Sequence, residues 1–293
     1  MTESRADDGP GGVVIASSER AAAAATLPIT ACVIAFNEAH QIQDCLATLD
    51  FCAARLVVDS HSADDTRELA EQCGARVIER DWPGHIEQKN FAIDQAETDW
   101  VLCIDADERV TPELRASIEA LFERGEPERE GYELSRRTWY LGRFIDHGGF
   151  YPDRKLRLFR RSRGRWGGTN PHDHVFLSEG ASPGRLTGDL HHYTYRDIAD
   201  HLKTIDYFTT IAAREKLAKG QGAVVLRLLL APPWKFFKMY VLQRGFLDGV
   251  AGLVVALLGA VYVMLKYAKL WELTAVEGAE AGAPVSYGRK GEA

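Results

Sequence analysis

Trp100-Val-Leu-Cys-Ile-Asp-Ala-Asp107 reads as a short buried strand that ends in two carboxylates, one residue apart. Its apolar run, 100–104, has no polar alternation, which is the pattern of a strand covered on both faces. In an open α/β sheet the carboxyl ends of the strands border the ligand crevice. Carboxylates delivered there suit a hard divalent cation, which takes oxygen ligands and shares them with substrate phosphates. Taken alone, the tripeptide fits a solvated, helix-capping turn equally well.

The chain before this strand repeats a strand–helix alternation. Strands are expected over 29–36, 55–59 and 75–78, and helices over 42–49, 65–73 and 85–96. Ser62 or Asp64 stands where a cap for the second helix belongs. After the quoted strand, Thr111-Pro112 opens another helix, with Thr as cap and Pro at the first position. Such units imply a mostly parallel, doubly wound α/β sheet. The turns Asn37-Glu38, 59–62 and 105–107 then all fall on one rim. Residues 131–196, rich in Trp, Tyr, Arg and Gly, read as an added mixed β region, with strands over 156–159 and 175–177. Residues 198–217 have the spacing of an amphipathic helix. A short apolar helix over 223–230 is expected to stop at Pro232-Pro233.

The chain has 293 residues, room for one large domain or two modest ones, and a net charge of −7 that argues against a dedicated nucleic-acid binder. Five cysteines, none in a Cys-x-x-Cys pair, suggest neither zinc nor a disulfide framework and read as core residues of a reduced protein. Residues 1–27 lack the compact apolar core of a secretory signal and read as a disordered leader, with 272–293 as a similar tail. The catalytic domain is expected over 28–196 and a set of apolar helices over 197–271.

No Gly-x-Gly-x-x-Gly or P-loop follows the first strand, so a dinucleotide dehydrogenase or ordinary NTPase is not indicated. A nucleotide could instead be held by side chains. Val33-Ile-Ala-Phe-Asn-Glu-Ala39, Val57-Val-Asp-Ser-His-Ser-Ala-Asp-Asp-Thr66, Gln88-Lys-Asn-Phe-Ala92 and Trp100 to Glu108 resemble successive signatures of glycosyltransferase family 2. Later segments, Asp153 to Arg160, His192-Tyr-Thr-Tyr195 and Arg244 to Leu253, resemble its lipopolysaccharide core β-1,4-glucosyltransferase branch. The resemblance implies the GT-A fold, a UDP-sugar donor, Mg²⁺ or Mn²⁺, and inversion at the anomeric carbon. It further implies that Phe36, Glu38 and Asp59 contact uridine, Lys89 the base or ribose, Asp105 the ribose and Asp107 the metal.

The branch's catalytic base is the Glu of a His-Glu pair; here the pair is His172-Asp173, one methylene shorter, so Asp173 is the expected base. The His-Asp pair also suits a metal-dependent phosphohydrolase, a weaker reading because further helical ligands are not apparent. His191 or His192 could supply a third metal ligand, or simply pack. Arg154 to Arg165 holds seven basic residues in twelve. Interleaved aromatics could suggest RNA, but apolar alternation reads better as a strand with a basic outward face. Arg154, Arg157 and His172 are then candidates for phosphates of the donor or an anionic acceptor. Trp139, Tyr140, Trp166 and Tyr195 could stack on sugars or fill the core.

Residues 249–265 carry no charge and would span about 25 Å as a helix. Gly245-x-x-x-Gly249 and Ala256-x-x-x-Ala260 would allow close packing. Basic residues and aromatics flank the run, as an anionic membrane surface favours. A buried core helix and a single span compete with the preferred reading, a monotopic or re-entrant helix. That reading puts the crevice at the cytoplasmic face of a bacterial inner membrane, beside a lipid-linked glycan acceptor. Alternatives are a polyprenyl-phosphate transferase and a non-catalytic nucleotide-sugar-binding membrane protein.

Overall fold

The four apolar runs form the parallel half of one sheet. β1 (Leu27–Ala35), β2 (Cys52–Asp59), β3 (Arg76–Glu79) and β4 (Trp100–Asp105) alternate with α1 (Ile42–Ala47), α2 (Thr66–Gln72) and α3 (His85–Asp94). The computed structural model describes residues 26–169, 172–220 and 224–275. β1 pairs in parallel with β2 and β4, and β3 continues the β2 side. Alternate residues of these strands feed two cores. Ile29, Val33, Leu102 and Ile104 pack with Leu46, Leu114 and Ile118 on one face. Cys32, Val101 and Cys103 pack with Ala92 and Ile93 of α3 on the other. Each fully buried Leu or Ile contributes roughly 1.5–3 kcal/mol relative to exposure, so burial on both faces fixes the strand register.

The mixed half follows as β5 (Glu108–Val110), α4 (Pro112–Glu123), β6 (Gly131–Tyr140), β7 (Arg143–Phe144), β8 (Asp153–Arg160), the hairpin β9 (Gly164–Thr169) and β10 (His172–Leu177), and β11 (Gly184–His192). The order is β3-β2-β1-β4-β8-β6-β11-β5, with β7 on β6 and the hairpin apart from the sheet. The antiparallel β8 sits directly beside β4. Arg157 is thereby brought next to the end of the strand that carries Asp105.

Local signals explain most boundaries. Thr111 caps α4, its Oγ1 accepting from the Leu114 N–H at 3.3 Å, ahead of Pro112. At α2 the expected caps divide. Asp64 accepts from the Thr66 N–H at 3.2 Å, while Ser62 donates to Asp59 and accepts from the Asn37 N–H.

The C-terminal part is helical: α5 (Ile198–Ala218), α6 (Val224–Phe237), a π-helical turn over Lys238–Leu242, a 3₁₀ turn over Gly245–Asp248, and α7 (Gly249–Ala275). The expected stop at Pro232-Pro233 does not occur, since both prolines lie inside α6. Their missing N–H groups leave two carbonyls of the preceding turn without helical partners. Packing of α6 along α7 carries the helix across, and the winding loosens one turn later. The expected Gly245–Gly249 pair is also replaced. Gly249 has φ of 61° and begins α7, whereas a Cβ on Gly252 would meet the Gly245 carbonyl at 1.9 Å. Gly245 and Gly252 are thus the close-approach pair.

Asp248 ties this helical arm to the sheet. Its buried carboxylate accepts from the N–H groups of Asp146 at 3.1 Å and His147 at 2.8 Å, and from Arg143 at 3.3 Å. The expected leader and tail lie outside the described residues, except that β1 begins at Leu27 and α7 runs to Ala275.

Candidate active site

The carboxyl ends of β1 and β4 open on a crevice of about 420 Å³. Phe36, Glu38, Asp105, Asp107, Asp173 and His192 line it, with Lys89 and His85 from α3. Parallel pairing of β1 with β4 puts the Asn37-Glu38 and 105–107 turns side by side. His192 comes from the distant β11, which pairs with β5 so that His192 faces Glu108. One residue on, the Tyr193 N–H donates to the Asp107 carbonyl at 2.8 Å. His192 Nε2 thus stands 3.2 Å from Asp107 Oδ2.

The two acids of the tripeptide have different surroundings. Asp105 Oδ2 accepts from Arg157 Nη2 at 2.7 Å, and Lys89 Nζ is 3.4 Å from Oδ1. Burial alone would raise the Asp105 pKa, but the charges of Arg157 and Lys89 hold it well below the usual carboxylate range. Glu108, fully buried, accepts from the same Arg157 nitrogen at 2.9 Å and from the Asp105 N–H at 2.9 Å. Asp107 faces the crevice and His192 instead.

Asp173 reaches the site on the hairpin. Asn90 of α3 holds β9 as a strand neighbour would: its Nδ2 donates to the Trp166 carbonyl at 2.9 Å, and its Oδ1 accepts from the Trp166 N–H at 3.0 Å. The adjacent Lys89 then meets Asp173 Oδ2 at 2.8 Å and lies over the Trp166 ring, 4.3 Å from its centre. Burial pulls the Lys89 pKa down, but Asp105 and Asp173 outweigh it and keep the ammonium above its ordinary value. Lys89 thus bridges two carboxylates while lining the crevice, where the resemblance puts it near the base or ribose.

Other expected positions differ. Asp59 is fully buried and accepts from the Ser62 N–H at 2.8 Å and from the Ser62 hydroxyl, so its carboxylate belongs to the turn and not to the crevice wall. Arg157 is 3 % exposed, because Trp166 covers the strand face expected to be outward and basic. Its charge goes to Asp105 and Glu108. Arg154 is exposed. His172 opens β10, with its side chain outside the described residues. His191 packs on Phe144 with ring centres 4.1 Å apart and lines no part of the crevice. Of the aromatics, Tyr195 lines the crevice, Trp166 and Tyr140 are buried, and Trp139 packs on Phe144. Glu108, Arg136 and Asn90 were not singled out by sequence, although Glu108 directly follows the quoted tripeptide.

Residues 30–177 match the family model described as glycosyl transferase family 2. The chain belongs to glycosyltransferase family 2. It is 28% identical over 256 residues to the lipopolysaccharide core biosynthesis glycosyltransferase LpsC of Rhizobium meliloti, covering 86% of this chain and 94% of that one. It is 30% identical over 254 residues to an uncharacterized glycosyltransferase of Rickettsia felis, covering 83% and 89%. Among solved structures, S. aureus TarS 1-349 aligns with a TM-score of 0.41 and 14% identity, over 85% of this chain and 91% of that chain. The family 2 assignment agrees with the sheet described above, a GT-A arrangement of a parallel half and a mixed half, and makes this chain a glycosyltransferase.

A divalent cation fits one part of this family 2 site. Asp107 and His192 offer a carboxylate oxygen and an imidazole nitrogen, and the buried His192 Nδ1 has no hydrogen-bond partner among the described residues. No group of three or more acidic, His or Cys side chains poised for a metal occurs among the described residues. A two-ligand site suits an ion that completes its shell with substrate phosphate and water.

Proposed function

We propose that the chain transfers a hexose, glucose being the preferred candidate, from a UDP-sugar to a hydroxyl of a lipid-linked glycan of the lipopolysaccharide core kind, with inversion. The observation that carries this reading is the single crevice that gathers Phe36, Glu38, Asp105, Asp107 and Asp173. Phe36 and Glu38 would meet the uridine and Asp105 the ribose. Asp107 and His192 would hold Mg²⁺ or Mn²⁺, which would neutralise the diphosphate as it departs. Lys89 orients Asp173, and Arg157 keeps Asp105 ionised and fixed.

Asp173 would accept the proton of the acceptor hydroxyl as that oxygen bonds to the anomeric carbon. The bond from that carbon to the phosphate oxygen breaks, and UDP leaves with the electron pair. Attack opposite the leaving group inverts the centre. The name of the Rhizobium meliloti relative supports a lipopolysaccharide core acceptor.

Residues 28–196 would be the catalytic unit and 197–271 the arm that meets the cytoplasmic leaflet of the inner membrane. The segment Gly245–Ala275 is long and apolar enough to cross a membrane, and only 22 % of its apolar window is buried. Val225, Leu226, Leu229, Leu230, Trp234 and Val250 are exposed on α6 and α7. Such a patch favours an amphiphilic surface. A pocket of about 190 Å³ between α5 and α7 shares Tyr195 and Thr204 with the crevice, so the helical arm adjoins the site. A panel of UDP-sugars with Mn²⁺ or Mg²⁺, reading UDP release with and without lipid A-core acceptor, tests the proposal. Acceptor-stimulated release with one sugar is the expected result, and release that ignores the acceptor would count against it.

A further inference from the structure

A second cavity, of about 560 Å³, adjoins the crevice and shares Lys89, Asp105, Arg136 and Asp173 with it. Of the two, Asp107 and His192 line the crevice and not the second cavity, whereas Arg154, Lys155, Arg157 and the β10 residues 174–177 line the second cavity and not the crevice. Asp173 therefore belongs to the partition between them. A base in that position can face a donor on one side and a hydroxyl on the other.

The walls of the second cavity combine cationic and aromatic surface. Most of its charges are already balanced. Lys155 pairs with Asp153 at 3.1 Å, Arg136 with Asp153 at 2.7 Å, and Glu133 with Arg185 at 3.4 Å. Two positions are not. The exposed Arg154 side chain has no ion pair or hydrogen bond among the described residues. Arg157 uses one guanidinium nitrogen for Asp105 and Glu108, while its buried Nε and Nη1 have no hydrogen-bond partner among the described residues. A buried charged donor without an acceptor is unfavourable, so a negative group brought close to this cluster would be favoured.

The aromatic part lies on β10. Phe176 is 53 % exposed and His174 lies beside it, ring centres 4.2 Å apart. Gly167 on the paired strand makes this possible, because a Cβ there would stand 2.9 Å from the Phe176 ring. An exposed ring in a cavity with unbalanced cations suits a molecule with an apolar face and a negative group. A sugar ring bearing a phosphate or a carboxylate has both.

We propose that this cavity binds the acceptor through an anionic sugar, its ring on Phe176 and His174 and its phosphate or carboxylate on the exposed Arg154, with the buried charge of Arg157 behind it. The acceptor hydroxyl then approaches Asp173 from the side opposite the donor. This inference rests on the reading of the neighbouring crevice as the donor site, and the two fail separately.

The test titrates the full chain, in detergent micelles, with glucose, glucose 6-phosphate, glucuronate and inorganic phosphate, in wild type, Arg154→Ala and Phe176→Ala. UDP with Mn²⁺ is titrated in parallel. Glucose 6-phosphate or glucuronate should bind at least about tenfold tighter than glucose, and which of the two binds tighter identifies the anion. Arg154→Ala should weaken the charged sugars by about tenfold or more, the scale of one lost charged hydrogen bond. Phe176→Ala should weaken the sugars and leave inorganic phosphate unchanged. Equal binding of glucose and the charged sugars, no effect of Arg154→Ala, or inorganic phosphate as tight as the sugar phosphate would each overturn the proposal. If wild type fails to bind UDP, the donor reading falls, and the sugar titrations still decide this one.

Discussion

Arg157 Nη2 stands 2.7 Å from Asp105 Oδ2 and thereby separates the two acids of the strand-end tripeptide. Asp105 is held by cations, and Asp107 is left to face His192. The same nitrogen is 2.9 Å from the fully buried Glu108, so removing the guanidinium strands two carboxylates at once. Arg157→Met should cost about 3–5 kcal/mol of stability, as breaking a buried pair does. Arg157→Lys should recover part of it, because lysine keeps the charge but not the planar fork. Urea unfolding measures both. A loss under about 1 kcal/mol for Arg157→Met would mean that the cluster is solvated and not structural.

The division of the tripeptide also predicts different effects of its two amides. Asp107→Asn should weaken Mn²⁺ binding in the presence of UDP by about tenfold or more while leaving the unfolding midpoint near wild type. Asp105→Asn should act chiefly on stability, since it removes the partner of Arg157 and Lys89. Calorimetric titration of Mn²⁺ and thermal melts separate them. Equal loss of metal affinity in both variants would show that the acids share the metal.

Stability should fall on mild acidification. Burial, reinforced by the nearby Lys89, lowers the His85 pKa, and burial lowers that of His191. An imidazole depressed in the folded state binds protons better when unfolded, so its effect is absent well above about pH 6.5 and destabilising as pH drops below it. The melting temperature should therefore decline between about pH 7 and 5, with a shallower decline in His85→Gln. A second loss should follow at lower pH, below the ordinary carboxylate range, as Asp105 is protonated. A melting temperature flat from neutral pH to about pH 5 would contradict the histidine assignment.

Much of the fold was legible because buried parallel strands announce themselves as unbroken apolar runs. Ile29, Val33, Leu102 and Ile104 all occupy the core. Parallel topology alone then sends Phe36, Glu38, Asp105 and Asp107 to one rim. Contacts that depend on which neighbour a side chain finds were not legible. The placement of Asp173 against Lys89 depends on Asn90 docking a hairpin more than 70 residues away in sequence. Asp59 ends β2 level with Ala35, one residue further along than Asp105, which is level with Ile34, and Ser62, three residues on, takes its carboxylate into the turn. Arg157 looked like a surface charge because its cover, Trp166, belongs to a different element. At Pro232-Pro233 packing overrode a local rule that a single helix would have obeyed.

The exposed apolar face of α6 and α7 predicts membrane association. Leu229 and Leu230 are 66 % and 60 % exposed, so Leu229→Glu with Leu230→Glu should disturb no core packing. The double variant should lose most of its co-sedimentation with vesicles of anionic and zwitterionic phospholipid. Loss of the apolar contribution, about 25 cal/mol per Å² of buried surface, leaves only salt-sensitive attraction. Unchanged sedimentation would assign that face to another role.

The central claim is that Asp173, held 2.8 Å from Lys89, is the base of the transfer. The most direct measurement compares wild type and Asp173→Asn for UDP-sugar affinity and for transfer to the lipid-linked acceptor. The account predicts donor affinity within about twofold of wild type and transfer reduced by about 10²- to 10⁴-fold, the usual contribution of a general base. Transfer within about tenfold of wild type, with the donor still bound, would contradict it.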